Sequence, residues 1–360
     1  MNRFGFAMLL LVVGGLLLPG TVQAQTHGGT GILKIKPGAR ATGMGQAGVA
    51  LSQRAHSLWW NPAFLADLES KEFSSTVARL VPDLADDVYY LNVAYGSPLG
   101  EWTGFGVNVM YLSYGETEAM PENPEEGQSY GSFRSYEVVP TVGAGMKLVE
   151  GDPEALMSGF GIGAAVKYVY VDLAPDWAMA LAGIENKDGR ADAFGVDVSA
   201  LLEGYLLLPY AIGANFQNFG SDLVFLSADD ADPLPRNFKL GIAVTALQTE
   251  ALEVVAAFDF NKALIRYPTH TYPDERQRPK VGWGNMKELL NGGAEISFQE
   301  RLHVRLGYVF DPEGEIEAFT FGAGLDVDFS AEKTVRFDYS SVPQALDLAR
   351  VSYLSVGVRL

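Results

Sequence analysis

From residue 73 to the end of the chain, apolar and polar side chains alternate with a period of two. In residues 318–329, every second side chain from Phe319 to Phe329 is apolar, and the positions between them hold Thr, Gly and Asp. Residues 194–203, 251–261 and 301–311 show a similar alternation. A period of two places the two sets on opposite faces of a β-strand. The alternation therefore predicts an all-β fold.

Segments with this alternation recur often enough to count strands. They are residues 73–79, 87–97, 101–113, 135–149, 157–172, 191–203, 205–216, 236–248, 250–262, 291–299, 301–311, 316–329, 333–341 and 349–360. Bacterial outer-membrane barrels have an even number of strands, and a tilted strand of roughly 9–11 residues crosses the hydrocarbon. The fourteen segments predict a 14-stranded antiparallel transmembrane β-barrel over residues 73–360.

The connections between these segments alternate in length. The tight ones include those at Gly204, Thr249 and Glu300. The long ones are residues 114–134, 173–190, 217–235 and 263–290. Membrane barrels have long loops outside and short turns in the periplasm, so the long loops should face outward and both termini inward. A soluble β-sandwich is the alternative, although it has no reason to alternate its loop lengths.

The first 24 residues are predicted to be a signal peptide. Arg3 supplies a positive start, residues 7–18 are apolar, and the small residues Val22 and Ala24 precede a cleavage site. A membrane anchor is the alternative, but the apolar run is shorter than the roughly 20 residues that span a bilayer. The mature chain should begin at Gln25, and its predicted location is the cell outer membrane.

Composition excludes several classes of function. The chain has 26 Lys and Arg residues and 44 Asp and Glu residues, a net charge of −18, so no nucleic-acid partner is expected. It has no Cys, which excludes disulfides and Cys-ligated metals. The four His residues lack the spacing of metal ligands, and no catalytic motif is present. We therefore predict no metal, no cofactor and no enzymatic activity.

Residues 25–72 are predicted to be a short plug segment ahead of the barrel. Their central part, residues 30–66, is rich in Gly and Ala, is too short for a domain and lacks strand alternation. Gly43 and Gly45 allow the backbone to approach other backbones closely. The run Trp59–Pro62 contains an Asn-Pro turn signal. We expect the segment to pack in the lumen at the periplasmic end, with Trp59–Pro62 anchoring it under the barrel.

Two motifs in this segment resemble those of the PorV/PorQ family of outer-membrane proteins. The motif residues are Gly43, Met44, Gly45, Trp59, Trp60, Asn61 and Pro62. Their combination is more similar to PorV than to PorQ. The family is related to the FadL-type long-chain fatty-acid transporters, so the resemblance also implies a FadL-like barrel.

The resemblance implies a role in protein secretion. PorV-like proteins act in the type IX secretion system, where they receive cargo from the outer-membrane translocon and pass it to the surface attachment machinery, and they are not enzymes. Secreted cargo proteins, other outer-membrane secretion components and outer-membrane lipid are the implied partners. A FadL-like transporter of hydrophobic small molecules is one alternative, for which Pro140 and Pro209 within strands could open the wall. A structural outer-membrane protein is the other.

One predicted loop carries an apolar patch. Residues 174–184 contain Trp177, Met179 and Leu181 in a loop that should be exposed. Apolar patches on exposed loops often mark partner sites, so these three residues are the candidate partner contacts. The alternative is that the loop folds over the mouth of the barrel as a lid.

Overall fold

The computed structural model describes most of the chain. The described residues are 30–120, 128–181, 183–184, 189–226, 231–266, 280–281, 288–312, 314–330, 333–345 and 348–360. The predicted signal peptide and the predicted N-terminus at Gln25 lie outside them. The division into residues 1–24, 25–72 and 73–360 stays a prediction, although the first barrel strand begins at Glu72, within one residue of the expected boundary.

The described chain forms eighteen strands, fourteen of which close into one antiparallel barrel. The barrel strands are β1 (Glu72–Arg79), β2 (Val88–Pro98), β3 (Thr103–Ala119), β4 (Gly131–Glu150), β5 (Gly159–Asp172), β6 (Arg190–Tyr205), β7 (Pro209–Gly220), β10 (Asn237–Gln248), β11 (Leu252–Ala263), β14 (Leu289–Phe298), β15 (Leu302–Asp311), β16 (Ile316–Asp328), β17 (Thr334–Val342) and β18 (Val351–Arg359). Each pairs with the next along the chain, and β1 pairs with β18. The predicted 14-stranded barrel is confirmed.

The remaining elements are short. The two-residue strands β8 (Asp222–Leu223) and β9 (Asp232–Pro233) pair with each other, as do β12 (Ile265–Arg266) and β13 (Lys280–Val281). The helical turns are Ile32–Lys34, Ala39–Gly43, Arg54–His56, Ser57–Trp60, Pro62–Asp67 and Asp176–Leu181. In the part of the chain that the structure describes, no helix is long and apolar enough to cross a membrane.

The wall exposes its apolar side chains and buries its polar ones. In β16, Phe319, Phe321 and Leu325 face outward and are about half exposed. Thr320 and Asp326 on the same strand face inward and are buried. Soluble proteins show the opposite preference. An apolar outer face with a polar interior is the arrangement of a barrel embedded in lipid.

The two ends of the barrel differ. The terminal rim is the end where β1 begins and β18 ends, and its turns are residues 99–102, 151–158, 206–208, 249–251, 299–301 and 329–333. The loop rim is the opposite end, and its connections are residues 80–87, 120–130, 173–189, 221–236, 264–288, 312–315 and 343–350. The longest connections therefore share one rim, as the alternation predicts, although the connection from Asp311 to Ile316 at this rim is short.

The predicted loop 114–134 is partly strand. β3 continues to Ala119 and β4 begins at Gly131, so the two form a hairpin that extends past the rest of the wall. A register shift after Ser113 and the positive φ of +85° at Gly115 mark where the hairpin departs. Extra residues at such a bulge bend a strand. They also interrupt the alternation of side chains, so the sequence pattern does not show that the strand continues.

The two prolines differ in position. Pro140 lies inside β4, and the pairing of β4 with β5 skips from Val138 to Thr141 because proline has no N–H to donate. Pro209 is the first residue of β7, so the prediction that it interrupts a strand was wrong. Of these two prolines, only Pro140 therefore weakens the hydrogen bonding between neighbouring strands inside the wall.

Candidate functional site

Residues 30–68, called the N-terminal segment below, run through the lumen of the barrel. They contact inward-facing side chains of strands on every side of the wall. Thr30 meets β4, Ala39 meets β18, and Gly48 meets β11 through hydrogen bonds. The segment therefore fills the interior.

The segment begins in the half of the lumen nearer the loop rim. Glu137 of β4 accepts hydrogen bonds from the Thr30 hydroxyl, from the Gly31 N–H at 2.9 Å and from the Ile32 N–H at 3.1 Å. The hydroxyl of Tyr114 also donates to Glu137. Since β4 runs from the loop rim to the terminal rim, its seventh residue lies in the loop-rim half. The segment thus reaches the loop-rim half of the lumen as well as the end where the chain enters β1, whereas the sequence analysis expects it at one end alone.

The Gly43–Gly45 motif lies against β14 and β16. Gly45 has a φ of +71°, and a Cβ there would overlap the carbonyl oxygen of Gly292. The Gly45 N–H donates to the Thr320 hydroxyl at 2.8 Å, and that hydroxyl donates to the carbonyl oxygen of Gly43 at 2.9 Å. The Asn291 amide donates to the carbonyl oxygen of Gly45. Gly45 is needed both for its backbone conformation and for the close approach.

The wall contributes matching glycines. A Cβ on Gly293 or Gly307 would overlap the backbone of Met44 or Gly45, and Met44 itself is fully buried. A Cβ on Gly163 would overlap the backbone at Ala63. Backbone therefore meets backbone at several places where the segment touches the wall. These inward-facing glycines explain how residues 30–68 pack tightly with only short helical turns.

The tryptophan pair is buried in the lumen. Trp60 donates its indole N–H to the carbonyl oxygen of Pro37 at 2.9 Å and packs edge-on against Trp59 with 4.8 Å between ring centroids. From β7, the Asn215 amide donates to the carbonyl oxygen of Trp60 at 2.9 Å, and the Gln217 amide donates to that of Trp59 at 2.6 Å. The pair is thus held inside the barrel, whereas the sequence places it under the barrel.

Asn61 organises the turn that follows. Its side-chain amide donates to the carbonyl oxygen of Val49 at 2.9 Å, and its side-chain oxygen accepts from the Ala63 N–H at 3.1 Å. The second contact caps the helical turn that begins at Pro62. All seven motif residues are buried and lie in the lumen. Their role as a plug stays a prediction.

An apolar cluster and a network of ion pairs lie in different halves of the lumen. In the loop-rim half, Ile32 and Leu33 pack with Met110, Leu112 and Val139 of the wall, beside buried polar side chains that include Glu137 and Lys239. The other half holds buried ion pairs. Arg305 pairs with Glu295 at 2.5 Å and with Asp338 at 2.6 Å, and Arg40 of the segment pairs with Glu295 at 2.7 Å.

Burial also changes the acidity of groups on the N-terminal segment. It lowers the pKa of the His56 imidazole to about 4, while the nearby charge of Asp338 opposes the shift. Burial lowers the pKa of the Lys36 ammonium to about 8, with Asp311 and Asp259 opposing. At neutral pH, His56 is therefore uncharged, and its Nε2 lies 3.3 Å from the Thr76 hydroxyl.

Ser297, His303 and Asp326 lie together in the lumen, a combination that spacing along the sequence does not reveal because the three residues lie on different strands. Arg336 donates to His303 Nε2 at 3.0 Å, so Nε2 is an acceptor and Nδ1 carries the proton. That Nδ1 lies 2.8 Å from the Ser297 hydroxyl. His303 therefore donates to Ser297 and is not placed to remove its proton, as a Ser-His-Asp hydrolase requires.

The predicted partner-contact residues lie on one short helix, Asp176–Leu181, called the loop-rim helix below. Trp177 is 40% exposed and packs edge-on against Phe133 of the β3–β4 hairpin, with 5.8 Å between ring centroids. Leu181 is 50% exposed, and Met179 is half-buried. The structure thus brings the three residues together beside the hairpin. Their partner role stays a prediction.

The chain resembles solved outer-membrane transporters in fold. The toluene transporter TbuX of Ralstonia pickettii is 16% identical with a TM-score of 0.52, over 89% of this chain and 96% of that one. The toluene transporter TodX of Pseudomonas putida is 15% identical with a TM-score of 0.53, over the same shares. The monoaromatic hydrocarbon channel CymD is 14% identical with a TM-score of 0.51, over 89% and 95%. Identities this low show a shared fold alone.

The family is shown by a sequence comparison. Residues 22–270, more than two thirds of the chain, match the family model described as type IX secretion system protein PorV. No curated protein sequence matches significantly. The match includes the whole N-terminal segment and the barrel strands from β1 to β11. The chain therefore belongs to the PorV family of type IX secretion system proteins, and the resemblance in its N-terminal motifs is confirmed.

Proposed function

We propose that this protein docks secreted cargo at the outer surface of the outer membrane and passes it to the attachment machinery of type IX secretion. The family match over residues 22–270 is the observation that carries the proposal. Its partners are cargo proteins and other outer-membrane secretion components, and it performs no chemistry itself. In this proposal the loop rim faces the cell exterior and the terminal rim faces the periplasm.

The filling of the lumen supports docking over conduction. Trp60, Ile32 and Met44 are almost completely buried and come from different parts of the N-terminal segment. Backbone contacts at Gly45 fix the segment against the wall. A ligand that passed through the barrel would have to displace these contacts. Cargo that binds at a rim displaces none of them.

The loop rim offers the contact surface. Trp177 and Leu181 are exposed on the loop-rim helix, and the adjacent hairpin ends in the exposed Met120 and Tyr130. Aromatic and aliphatic anchors of this kind supply much of the binding energy at protein interfaces. We assign Trp177, Met179 and Leu181 as the cargo-side contacts, with Trp177 also supporting the hairpin through Phe133.

A transporter of hydrophobic small molecules is the second candidate. The apolar cluster in the loop-rim half of the lumen, with Met110, Leu112 and Val139, favours it, and so does the weakened ladder at Pro140. TbuX and TodX, which share the fold, are toluene transporters. In this reading the N-terminal segment has to move to open a path. A purely structural outer-membrane protein is the third candidate and has no specific observation in its favour.

Deletion of the gene separates these candidates. We expect the deletion strain to leave cargo with type IX sorting domains unprocessed or unattached, measured by surface proteolysis and immunoblotting of whole cells. Uptake of a labelled hydrophobic compound should be unchanged. Normal cargo attachment with lost uptake would replace docking with transport, and no change in either would leave only the structural role.

Orientation has its own test. Leu84 and Leu207 are 72% and 86% exposed and lie at the loop rim and the terminal rim. Because the chain has no Cys, single variants Leu84→Cys and Leu207→Cys give unambiguous labelling. A membrane-impermeant maleimide should label only Leu84→Cys on whole cells and both variants after lysis. Labelling of Leu207→Cys alone on whole cells would invert the proposed orientation.

A further inference from the structure

The terminal rim contains an open cavity of about 690 Å³ that has no part in cargo docking at the other end of the barrel. It lies between the turn 99–102 and the end of β4, beside the last residues of the N-terminal segment. Leu68 and Trp102 supply apolar surface, and Trp102 is 44% exposed. Glu69 and Glu101 supply carboxylates.

A second cavity of about 180 Å³ adjoins the first. Asp67, Lys147 and Glu150 line both cavities, and the Asp67 carboxylate pairs with the Lys147 ammonium at 3.2 Å. Glu203 lines the second cavity alone. We refer to the two cavities together as the terminal-rim groove.

The groove is strongly acidic. Among its lining residues, the carboxylates Asp67, Glu69, Glu101, Glu150 and Glu203 outnumber the single base Lys147, so the lining charge is 1 − 5 = −4. Asp67 Oδ2 is buried and has no hydrogen-bond partner among the residues that the structure describes. A partner that brings positive charge would be attracted to this region, and one that brings negative charge would be repelled.

Exposed leucines lie on two turns near the groove. The turn 151–158, whose first residues line the second cavity, forms hydrogen bonds with residues that flank the turn 206–208. The Tyr205 N–H donates to the carbonyl oxygen of Ala155 at 2.8 Å, and the Tyr210 hydroxyl donates to that of Leu156 at 2.5 Å. Leu156 and Leu207 on these turns are 63% and 86% exposed. An apolar patch rimmed by charge is typical of a protein-binding surface.

Two turns on the other side of the terminal rim differ from the groove in their side chains. The turns 249–251 and 299–301 contain Thr, Glu, Ala, Gln and Arg and no large apolar side chain. Exposed carboxylates and apolar side chains, such as Glu250, Glu300 and Phe329, also occur on the other side of this rim. The two cavities, which bring acidic and apolar side chains together in one concave surface, lie in the sector from β2 to β6. A concave acidic surface of this kind favours a localised partner.

We propose that the terminal-rim groove binds a basic segment of a periplasmic protein that carries Lys or Arg side chains and one large apolar side chain. The cations meet Glu101, Glu150 and Glu203, and the apolar side chain packs on Leu68 and Trp102. The occupant approaches from the periplasm, so this contact tethers the barrel on the face opposite to cargo. It rests on the proposed orientation and not on cargo docking.

The test uses the full chain in phosphatidylcholine nanodiscs and a labelled short peptide of alternating Ser and Lys with one central Leu. The test variant is Glu101→Lys with Glu150→Lys. The matched control is Glu250→Lys with Glu300→Lys, which makes the same charge change on the other side of the same rim. All four carboxylates are exposed, so the barrel should fold in both variants.

Fluorescence anisotropy should show binding to the wild type that weakens with added salt. We expect the test variant to bind about tenfold more weakly and the control to bind within about twofold of the wild type. Trp102→Ser should also weaken binding, which keeps the test valid if the charge reversal disturbs folding. Equal loss in the test and control variants, equal binding of a Glu-for-Lys peptide, or equal binding to empty nanodiscs would overturn the proposal.

Discussion

The N-terminal segment and the loop-rim helix place their residues in opposite environments. Asn61 in the segment is completely buried, and its side chain forms hydrogen bonds to the segment itself and to β6. Leu181 on the helix is half exposed at the end of a short element. The sequence motif that identifies the family thus lies where packing is tightest, and the residues we assign to partners lie where packing is loosest. Motif residues here report on the fold, while function is argued from the exposed rim.

A glycine in the segment and one just after the loop-rim helix give the sharpest comparison. Gly45 and Gly183 have similar φ values of +71° and +77°, but a Cβ on Gly183 would meet no atom of the described residues within 4 Å, whereas one on Gly45 would overlap backbone. Gly45→Ala should therefore destabilise the barrel by at least about 3 kcal/mol, from backbone strain plus overpacking. Gly183→Ala introduces the backbone strain without the overpacking, so its free energy of unfolding should fall by about 1 kcal/mol.

Denaturant unfolding in detergent and heat-modifiability on gels measure both variants. Equal losses of unfolding free energy in the two variants would mean that the segment does not pack closely against the wall at Gly45. The contrast between the two regions would then disappear.

The start of the segment provides the next test. Glu137→Gln removes the charge that accepts three hydrogen bonds from Thr30, Gly31 and Ile32, and should lower the free energy of unfolding by about 2 kcal/mol. The matched control is Asp86→Asn, which removes an exposed ion pair with Arg79 at the loop rim and should change stability by less than about 0.5 kcal/mol. If both substitutions had the same small effect, Glu137 would not anchor the segment.

A pH dependence should distinguish the buried segment further. The pKa of His56 is lowered from 6.5 to about 4 by burial, so the unfolded chain takes up a proton at a higher pH than the folded chain. The resulting stability is present above pH 6.5 and is lost as the pH falls toward 4. Between neutral pH and pH 5, the wild type should lose about 1–2 kcal/mol more than His56→Gln, measured by unfolding at each pH. If the stability of the wild type and of His56→Gln depended on pH in the same way, His56 would be in contact with water and not buried.

The barrel was predictable because the alternation of apolar and polar side chains along each strand does not depend on what that strand packs against. All fourteen predicted segments correspond to barrel strands, since the outward set must be apolar in lipid whatever the interior contains. The hairpin beyond Ser113 was not predictable, because its exposed residues resemble those of a polar loop.

The interior was predictable only in outline. The alternation shows that Glu137, Glu295 and Arg305 face inward, but it does not show that Thr30 and Arg40 reach them, since the partners lie 107 and 255 residues apart. Gly43 and Gly45 could be recognised because only glycine permits such close approach. The terminal-rim groove combines two turns with the end of the N-terminal segment and has no sequence signature.

The most direct test of cargo docking at the loop rim is the amount of cargo attached to whole cells that carry Trp177→Ser with Leu181→Ser. The matched control is Leu84→Ser, which changes an exposed leucine elsewhere on the loop rim. Leu181→Ser alone serves as a second variant, because Trp177 also packs against Phe133. We expect both loop-rim helix variants to attach several-fold less cargo while barrel yield and heat-modifiability stay normal, with the control like the wild type. Normal cargo attachment in the variants, with the protein at wild-type levels, would contradict the account.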